Sequence, residues 1–306
     1  MRYVEAAGLK VSAVGLGTWQ FGSREWGYGE AYANHDARLI VERALELGVT
    51  LFDTAEVYGS GRSERILGEA LASSRANVVV ATKYAPTLPI PGRAARHLRA
   101  SAQRLGRDAI DLYQVHFPNP LVPTHQLLEE LEAEVFAGGA RALGVSNFSL
   151  AAWRAAERTG HVPIVSNQVH LSLVVRRSLR ELVPWAQAND RLVIAYSPLE
   201  QGLLAGTYTT THRPRGVRRL RRAFSPTGLL RARPVLDELR RVGTRYGASP
   251  AQVALAWVLS HPNVVAIPGA SSVSQLEHNV EAGALSLTNE DVVRLEASAQ
   301  AAWPVR

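Results

Sequence analysis

Four side chains of types that commonly transfer protons lie at the ends of apolar stretches of the sequence or, for Tyr58, in the loop that follows one. They are Asp53, Tyr58, Lys83 and His116. Lys83 stands out because Lys10 and Lys83 are the only lysines among 34 basic residues, and the others are arginine. An ammonium is a compact charge beside which the pKa of another group can be shifted, whereas a guanidinium resists such tuning. The set therefore points to proton transfer between titratable groups.

Each of these residues also has a purely structural interpretation when it is taken alone. An aspartate at a strand end often caps a helix or pairs with a cation, a loop tyrosine often packs, and a lone histidine is often a hydrogen-bonded core group. Four such residues at the ends of neighbouring stretches favour one functional site over four separate structural roles.

The elements that must position these residues are repeated. Eight apolar runs lie at 14–17, 49–53, 78–82, 110–115, 142–145, 164–168, 192–196 and 264–267. Helical spacing of apolar residues follows near 36–48, 62–74, 93–106, 124–137, 149–159, 178–189, 232–246 and 272–282. Strands that are apolar on both faces and alternate with helices imply a parallel sheet covered by helices, and eight such units imply closure. The sequence predicts a (β/α)8 TIM barrel forming a single domain over residues 1–306.

Three further segments complete this prediction. Residues 1–12 alternate around Gly8 and indicate a β-hairpin before the barrel, at its bottom. The stretch 288–291 resembles a capping box that starts an extra C-terminal helix. The stretch 200–231 is long and irregular, which is typical of a functional loop. Active sites of such barrels lie at the carboxyl ends of the strands, so the four residues are expected around one rim.

Composition excludes several classes of protein. The chain has no cysteine, which rules out disulfides, thiolate metal sites and cysteine nucleophiles. No apolar run approaches the ~18 to 20 residues of a membrane span, and the N-terminus lacks a secretory signal, so we expect a cytoplasmic protein. No cluster of histidines and carboxylates has metal-ligand spacing.

The charge balance is basic, with a formal net charge of +7 and a pI near 10.0. One stretch is especially basic and contains Arg213, Arg215, Arg218, Arg219, Arg221 and Arg222. Nucleic acid is one possible partner for such a stretch, but no nucleic-acid-binding motif accompanies it. An anionic small molecule is the preferred interpretation, with neither nucleic acid nor membrane as a partner.

An ordered set of short motifs resembles the aldo-keto reductase family. The stretches are VGLGTW at 14–19, FDTAEVYG at 52–59, ATK at 81–83, DLYQVH at 111–116, GVSNF at 144–148, YSPL at 196–199 and IPGAS at 267–271. None is specific alone, but their order and spacing extend from residue 14 to about 279. The resemblance implies a catalytic tetrad of Asp53, Tyr58, Lys83 and His116. Tyr58 would donate a proton during reduction of an aldehyde or ketone, Lys83 would lower its pKa, and His116 would bind the carbonyl oxygen.

The resemblance also implies a nicotinamide cofactor bound without a Rossmann fold. The cofactor-binding residues would be Thr18, Trp19, Asp53, Ser146, Asn147, Gln168, Tyr196, Ser197, Leu199, Gly202, Leu204, Arg218, Arg219, Gly269, Ser271, Gln275 and Asn279. Ser146, Asn147 and Gln168 would hold the carboxamide, and Tyr196 would stack on the ring. Gln275 and Asn279 are expected on the exposed face of the helix after the last strand, near adenine.

The family motifs alone do not decide between NADP and NAD. No cationic side chain follows Pro268, which by itself favours NAD, and NAD stays an alternative. The arginine-rich stretch and the amides of a helix N-terminus favour NADP, because arginine donates paired hydrogen bonds to a phosphate. NADP is therefore the prediction.

Two other functions remain open beside the reductase. One is a redox-sensing, cofactor-binding regulatory subunit that resembles channel β-subunits. The other is a barrel aldolase with Lys83 as a Schiff base.

The sequence departs from the family pattern at two positions, since His170 and His278 stand where many relatives carry glutamate. The predicted walls of the substrate pocket are aromatic and comprise Trp19, Trp26, Tyr84 and Phe117.

Overall fold

The computed structural model describes residues 1–22, 35–74 and 76–305. Its strands are β1 Tyr3–Ala6, β2 Leu9–Ser12, β3 Leu16–Gly17, β4 Leu51–Asp53, β5 Val79–Tyr84, β6 Leu112–Val115, β7 Leu143–Ser146, β8 Ile164–His170, β9 Leu192–Tyr196 and β10 Val264–Ala266. Its helices are α1 Trp19–Gly22, α2 Ala37–Glu46, α3 Arg62–Leu71, α4 Arg93–Leu105, α5 Thr124–Phe136, α6 Leu150–Thr159, α7 Leu182–Ala188, α8 Pro226–Tyr246, α9 Pro250–Val258, α10 Val273–Glu281 and α11 Asn289–Ala302.

Strands β3 to β10 form one parallel sheet in chain order. Parallel bridges from Val14 to Ala266 and from Gly17 to Gly269 join its two edges, so the sheet closes. Closure brings backbones very near each other, because a Cβ on Gly17 would lie 2.7 Å from the carbonyl oxygen of Ile267. The (β/α)8 barrel is confirmed, and Gly17 is there for close approach of two strands.

The barrel strands are buried on both faces because helices cover the outside, as their continuous apolar sequence predicts. Helix α4 is an example of a covering helix that buries one apolar face, because Ala94, Leu98, Ala102 and Leu105 face the core. The helix ends at Gly106, whose φ of 62° is a left-handed conformation that glycine adopts without strain.

The predicted N-terminal hairpin and C-terminal helix are also present. Strands β1 and β2 pair antiparallel around Ala7 and Gly8, which have φ of 49° and 75°. The hairpin lies at the bottom of the barrel, since Ser12 and Thr50, just before β4, exchange hydrogen bonds of 2.8 and 3.0 Å. The capping box predicted at Thr288 is only half formed. The Thr288 hydroxyl accepts from Asp291 N at 3.2 Å, but the Thr288 N–H donates to the Tyr246 hydroxyl and not back to the Asp291 side chain.

The irregular stretch differs from the expectation in two ways. Short 3₁₀ turns occupy Glu200–Ala205, Gly216–Leu220 and Arg222–Phe224, and α8 begins at Pro226, where Ser225 caps it.

Helix α9 was not predicted. Its residues are apolar almost all round, so no amphipathic period is visible in the sequence, and a capping box at Ser249 starts it.

Candidate active site

The structure brings the four proton-transfer candidates to one rim of the barrel. Asp53 is the last residue of β4, Lys83 is the penultimate residue of β5, and His116 directly follows β6. Tyr58 lies in the loop after β4, whose backbone turns back so that Ser63 N donates to the Tyr58 carbonyl at 3.2 Å. Parallel strands end at the same edge, which is why residues far apart in sequence meet here.

Asp53 and Lys83 form a buried ion pair at the centre of this rim. The Lys83 Nζ donates to Asp53 Oδ1 at 2.7 Å and to the Thr54 carbonyl at 2.7 Å. Lys83 is 0% exposed and Asp53 2%. Burial alone disfavours the ammonium, but the attraction of Asp53 and then Tyr58 outweighs it, so the pKa of Lys83 is raised. Lys83 is therefore charged at neutral pH.

The other carboxylate oxygen of Asp53 is held from across the barrel. Gln168 Nε2 donates to Asp53 Oδ2 at 2.7 Å, and Gln114 Nε2 approaches the same oxygen at 3.5 Å. Sequence reasoning missed Gln114 and Thr54 as parts of the site. A polar Gln114 inside the apolar run 110–115 was a usable signal, whereas the Thr54 contact is made by backbone and has none.

Tyr58 lies above this ion pair. The Lys83 Nζ is 5.2 Å from the centroid of the Tyr58 ring, and the rings of His116 and Trp19 lie 6.0 and 6.3 Å away. Burial raises the pKa of Tyr58, Lys83 lowers it, and Asp53 raises it again; the net direction is upward. Lys83 lowers the pKa of Tyr58 as expected, but burial disfavours the phenolate by more, so the pKa is raised overall.

His116 is neutral over the physiological range. Burial, with Lys83 in second place, lowers the pKa of His116 to about 3. Its Nδ1 is buried and makes no hydrogen bond within the described residues. A neutral imidazole can donate one hydrogen bond to an incoming oxygen without carrying charge.

The residues expected at the nicotinamide carboxamide lie at the end of β7 and within β8. The Ser146 hydroxyl and the Asn147 N–H both donate to the Gln168 carbonyl, at 3.0 and 2.9 Å. Ser146 and Gln168 are buried, whereas Asn147 is exposed and left-handed, with φ of 62°. The Asn147 Nδ2 donates to the His116 carbonyl at 3.0 Å. Asn147 thus connects the two halves of the rim.

Tyr196 lies at the end of β9 beside Asn147 and donates its hydroxyl to Asn147 Oδ1 at 2.9 Å. One face of its ring is stacked on His170, with centroids 5.1 Å apart and planes 17° apart. His170 Nε2 in turn pairs with Glu200 Oε1 at 2.6 Å, which also accepts from Ser172. Glu200 was missed. It follows the YSPL motif directly, but its partner is 30 residues away in sequence.

The loop after β9 has an unusual backbone. Ser197, Glu200 and Gln201 have φ of 50°, 48° and 57°, a conformation that costs non-glycine residues free energy. The side chain of Leu204 is in the core, and Leu199 and Gly202 are partly exposed.

The two arginines expected at the cofactor differ in environment. Arg218 Nη1 donates to Tyr208 Oη at 3.1 Å and to the Gln201 carbonyl at 3.4 Å, which places it beside the loop after β9. Arg219 is exposed, and its backbone carbonyl accepts from Arg213 at 2.8 Å. Arg213 also donates to the Phe224 carbonyl, so its guanidinium holds the loop together.

Helix α10 starts at the top of the barrel after β10. Ser271 N and Oγ both donate to Gln275 Oε1, at 2.9 and 2.8 Å, and Gln275 is exposed as expected. Asn279 is not on the exposed face: it is 7% exposed, and its Nδ2 donates to the Gly269 carbonyl at 3.3 Å. Asn279 therefore lies on the face of α10 that packs against the barrel edge, and the expectation that it is on the exposed face was wrong.

The remaining predicted residues divide between rim and interior. Trp19 and Phe117 are exposed at the rim, 37% and 36% respectively. Thr18 is buried, and its hydroxyl donates to the Asp53 carbonyl at 3.0 Å.

Tyr84 is also buried, and its ring packs on His97 of α4, so the expectation that it lines the pocket was wrong. Alternation along β5 points Lys83 inward and Tyr84 outward. Trp26 lies outside the described residues.

Within the described parts of the chain, no group of three or more histidines and carboxylates could hold a metal ion. No helix in those parts is long and apolar enough to cross a membrane.

Comparisons with known proteins agree over nearly the whole chain. Residues 13–300 match the sequence model of the Aldo/keto reductase family. An uncharacterized oxidoreductase of Mycobacterium tuberculosis is 53% identical over 306 residues, covering 100% of this chain and 95% of the relative. The crystal structure of a glycerol dehydrogenase from Gluconobacter oxydans has a TM-score of 0.90 at 29% identity, covering 99% of this chain and 97% of that one. An aldo-keto reductase from Klebsiella pneumoniae in complex with NADPH has a TM-score of 0.80 at 28% identity, covering 100% and 98%.

The buried ion pair predicts a large effect of Lys83→Met on stability. Losing the cation leaves a buried carboxylate unpaired, so the free energy of unfolding should fall by about 3 to 5 kcal/mol in urea denaturation at pH 7. Lys10→Met is the matched control, because Lys10 is exposed, and it should change stability by less than about 0.5 kcal/mol. Adding Asp53→Asn to Lys83→Met should recover part of the loss. Equal stability of the two lysine variants would contradict the pairing.

Proposed function

The chain belongs to the aldo/keto reductase family of oxidoreductases, and we propose on that basis that it reduces aldehydes or ketones to alcohols with a nicotinamide cofactor, residues 1–306 acting as one barrel domain. The observation that carries the proposal is the position of Lys83. Its Nζ lies 2.7 Å from Asp53 and 5.2 Å from the centroid of the Tyr58 ring. This arrangement places a phenol, which can donate a proton, beside a cation that can stabilise the phenolate left behind.

The residues at the ends of β7 to β10 fit a nicotinamide dinucleotide in their chemistry. Tyr196 keeps part of its ring exposed while His170 supports the other face, and no second aromatic ring of the described chain stacks on it. The start of α10 offers backbone N–H groups to a phosphate. Glu200 Oε1 is within hydrogen-bond distance of both His170 Nε2 and Ser172 Oγ, which fixes the histidine that supports the Tyr196 ring. When bound, the reduced nicotinamide would supply the hydride that the carbonyl carbon receives.

The proposed roles of the chain's own residues follow from their charges. As negative charge develops on the substrate oxygen, Tyr58 Oη gives up its proton, and Lys83 stabilises the phenolate that remains. Asp53 keeps Lys83 charged and fixed. His116, which is neutral, donates a hydrogen bond to the same oxygen and orients it.

The aldolase alternative is disfavoured by the environment of Lys83. A Schiff-base lysine must reach the substrate carbonyl as a free amine, whereas Lys83 is 0% exposed, has a raised pKa and donates to two fixed oxygens. No contact of the described residues specifically favours the regulatory subunit over the enzyme. Turnover of an aldehyde panel separates these two functions directly.

We also propose NADP(H) as the preferred cofactor, with NAD(H) as the alternative. Support comes from Arg218, which lies beside the loop after β9, and from the exposed Arg219. A 2′-phosphate would add a dianion for which arginine donates paired hydrogen bonds.

Replacing Tyr58 with Phe should lower the rate of carbonyl reduction by about 10² to 10⁴, because only the proton donor is removed. NADPH binding, followed by quenching of tryptophan fluorescence, should stay nearly unchanged. Tyr113→Phe is the matched control: the Tyr113 hydroxyl is buried without a hydrogen bond in the described structure, so its loss should leave activity intact. A folded Tyr58→Phe protein with wild-type turnover would contradict the role of Tyr58.

The pKa shifts predict the shape of the pH profile. Reduction needs protonated Tyr58, so activity is present below the pKa of Tyr58 and lost above it, and burial raises that pKa. His116 with a pKa of about 3 is already neutral at pH 5. We therefore expect kcat/KM for reduction to stay level from about pH 5 to pH 9 and to fall only in more alkaline solution. An inflection between pH 6 and 8 that His116→Gln removes would contradict a neutral His116.

Cofactor preference can be tested by replacing Arg218, Arg219, Arg221 and Arg222 together with Ala. Losing a charge-assisted bond to the 2′-phosphate should weaken NADPH binding by about ten- to a hundredfold and leave NADH binding nearly unchanged. Replacing Arg231 and Arg233 in α8 serves as the control for loss of positive charge. Equal loss for both cofactors, or a wild-type preference for NADH, would refute the assignment.

A further inference from the structure

A cleft of about 680 Å³ lies outside the barrel between the loop that carries Tyr58 and helix α4. Its lining includes Glu56 and Ser60 from the loop and Arg93, Arg96 and Arg104 from the helix. None of the four proton-transfer residues Asp53, Tyr58, Lys83 and His116 lines this cleft. Its size is in the range of sites that hold small molecules.

The arginines of this cleft differ in how they are paired. Arg104 donates to Glu64 at 2.5 Å and to Ser101 at 3.0 Å, so its charge is satisfied. Arg93 and Arg96 have no carboxylate within 4.0 Å among residues 1–22, 35–74 and 76–305. By contrast, Arg99 on the same helix pairs with Glu134 at 2.9 Å. Two neighbouring guanidiniums on one cleft wall are therefore without a protein counter-ion in the described structure.

Arg93 also carries an unsatisfied donor. Its Nε is buried and has no acceptor in the described part of the protein. A buried N–H of a charged group without a partner is costly, and such groups normally find an acceptor. Glu130 also lies near this helix end: its Oε1 would be 3.7 Å from a Cβ on Gly92, and this oxygen has no hydrogen-bond partner in the described structure.

The position of these arginines on α4 increases the local positive potential. Arg93 is the first residue of the helix, Gly92 provides no side-chain cap, and the first turn contains no acidic residue. Helix N-termini carry partial positive charge and normally attract acidic side chains. Here two cations stand where an anion is favoured, which is the arrangement of an anion-binding site.

We propose that this cleft binds a small-molecule anion with at least two acidic oxygens, either a phosphate monoester or a dicarboxylate, between Arg93, Arg96 and the loop 56–60. Both ligand classes offer the paired oxygens that a guanidinium binds. This proposal does not depend on the proposed reduction.

The occupant would lie against the segment that positions Tyr58. Glu56 Oε1 accepts from Ala85 N at 2.7 Å, and Glu56 Oε2 pairs with His97 Nδ1 at 2.5 Å, so the loop is already bonded to the residue after β5 and to the first half of α4. An anion bound by Arg93 and Arg96 would add a further bond between the helix and this loop.

The test is calorimetric titration of the full chain at pH 7 with inorganic phosphate and, separately, with malonate. The wild-type protein should bind at least one of the two probes saturably, and the preferred probe identifies the ligand class. Arg93→Gln with Arg96→Gln should weaken that binding by at least about tenfold, the loss of one charge-assisted bond. Arg99→Gln is the matched control on the same helix and should bind like wild type.

Two results would overturn the proposal. One is wild-type protein that binds neither probe saturably, and the other is a double variant that binds as tightly as wild type. If the double variant does not fold, Arg96→Gln alone replaces it, because Arg96 is exposed and its loss does not disturb packing. That variant should bind several-fold more weakly, and unchanged affinity would equally refute the site.

Discussion

A charged lysine that water cannot reach must be held by a counter-ion of fixed geometry, and the rim of this barrel is arranged around that requirement. Lys83 is 0% exposed and stays charged because Asp53 and the Thr54 carbonyl are each 2.7 Å from its Nζ. An unpaired ammonium in this position would lose its proton or destabilise the fold. Strand β4 must therefore lie beside β5 in the observed register for Lys83 to be tolerated at all.

The same constraint extends to the opposite side of the barrel. Asp53 has a second oxygen that must also be satisfied, and Gln168 of β8 reaches it at 2.7 Å across the interior. The Gln168 carbonyl then accepts from Ser146 and from Asn147, and Asn147 bonds the His116 carbonyl and the Tyr196 hydroxyl. One hydrogen-bonded chain thus joins the proton-transfer residues to the side of the rim proposed to hold the nicotinamide. Because Asp53, Gln168 and Asn147 each have defined partners, this part of the rim is preorganised.

The sequence predicted the elements of this site better than its side-chain directions. The strands were recognised because each is a short run that is apolar on both faces, and their number and alternation with helices implied closure. Helix α9 escaped because a helix that is apolar all round has no period to detect. Asn279 and Tyr84 were placed wrongly for a related reason. Spacing along one element does not reveal which of its faces meets a neighbour, and Tyr84 points outward to His97.

The sequence by itself therefore determined the barrel, the family resemblance and the identity of the four residues at the strand ends, since these depend on local pattern and chain order. Only the tertiary structure decided their electrostatics. Burial raises the pKa of Tyr58 despite Lys83 and lowers that of His116 to about 3, and neither direction could be derived from residue types. The hydrogen bonds of Asp53 with Gln114 and Gln168, and of His170 with Glu200, likewise become visible only when segments distant in sequence meet. The physical reason is that desolvation and charge pairing depend on distance in space, which chain order does not specify.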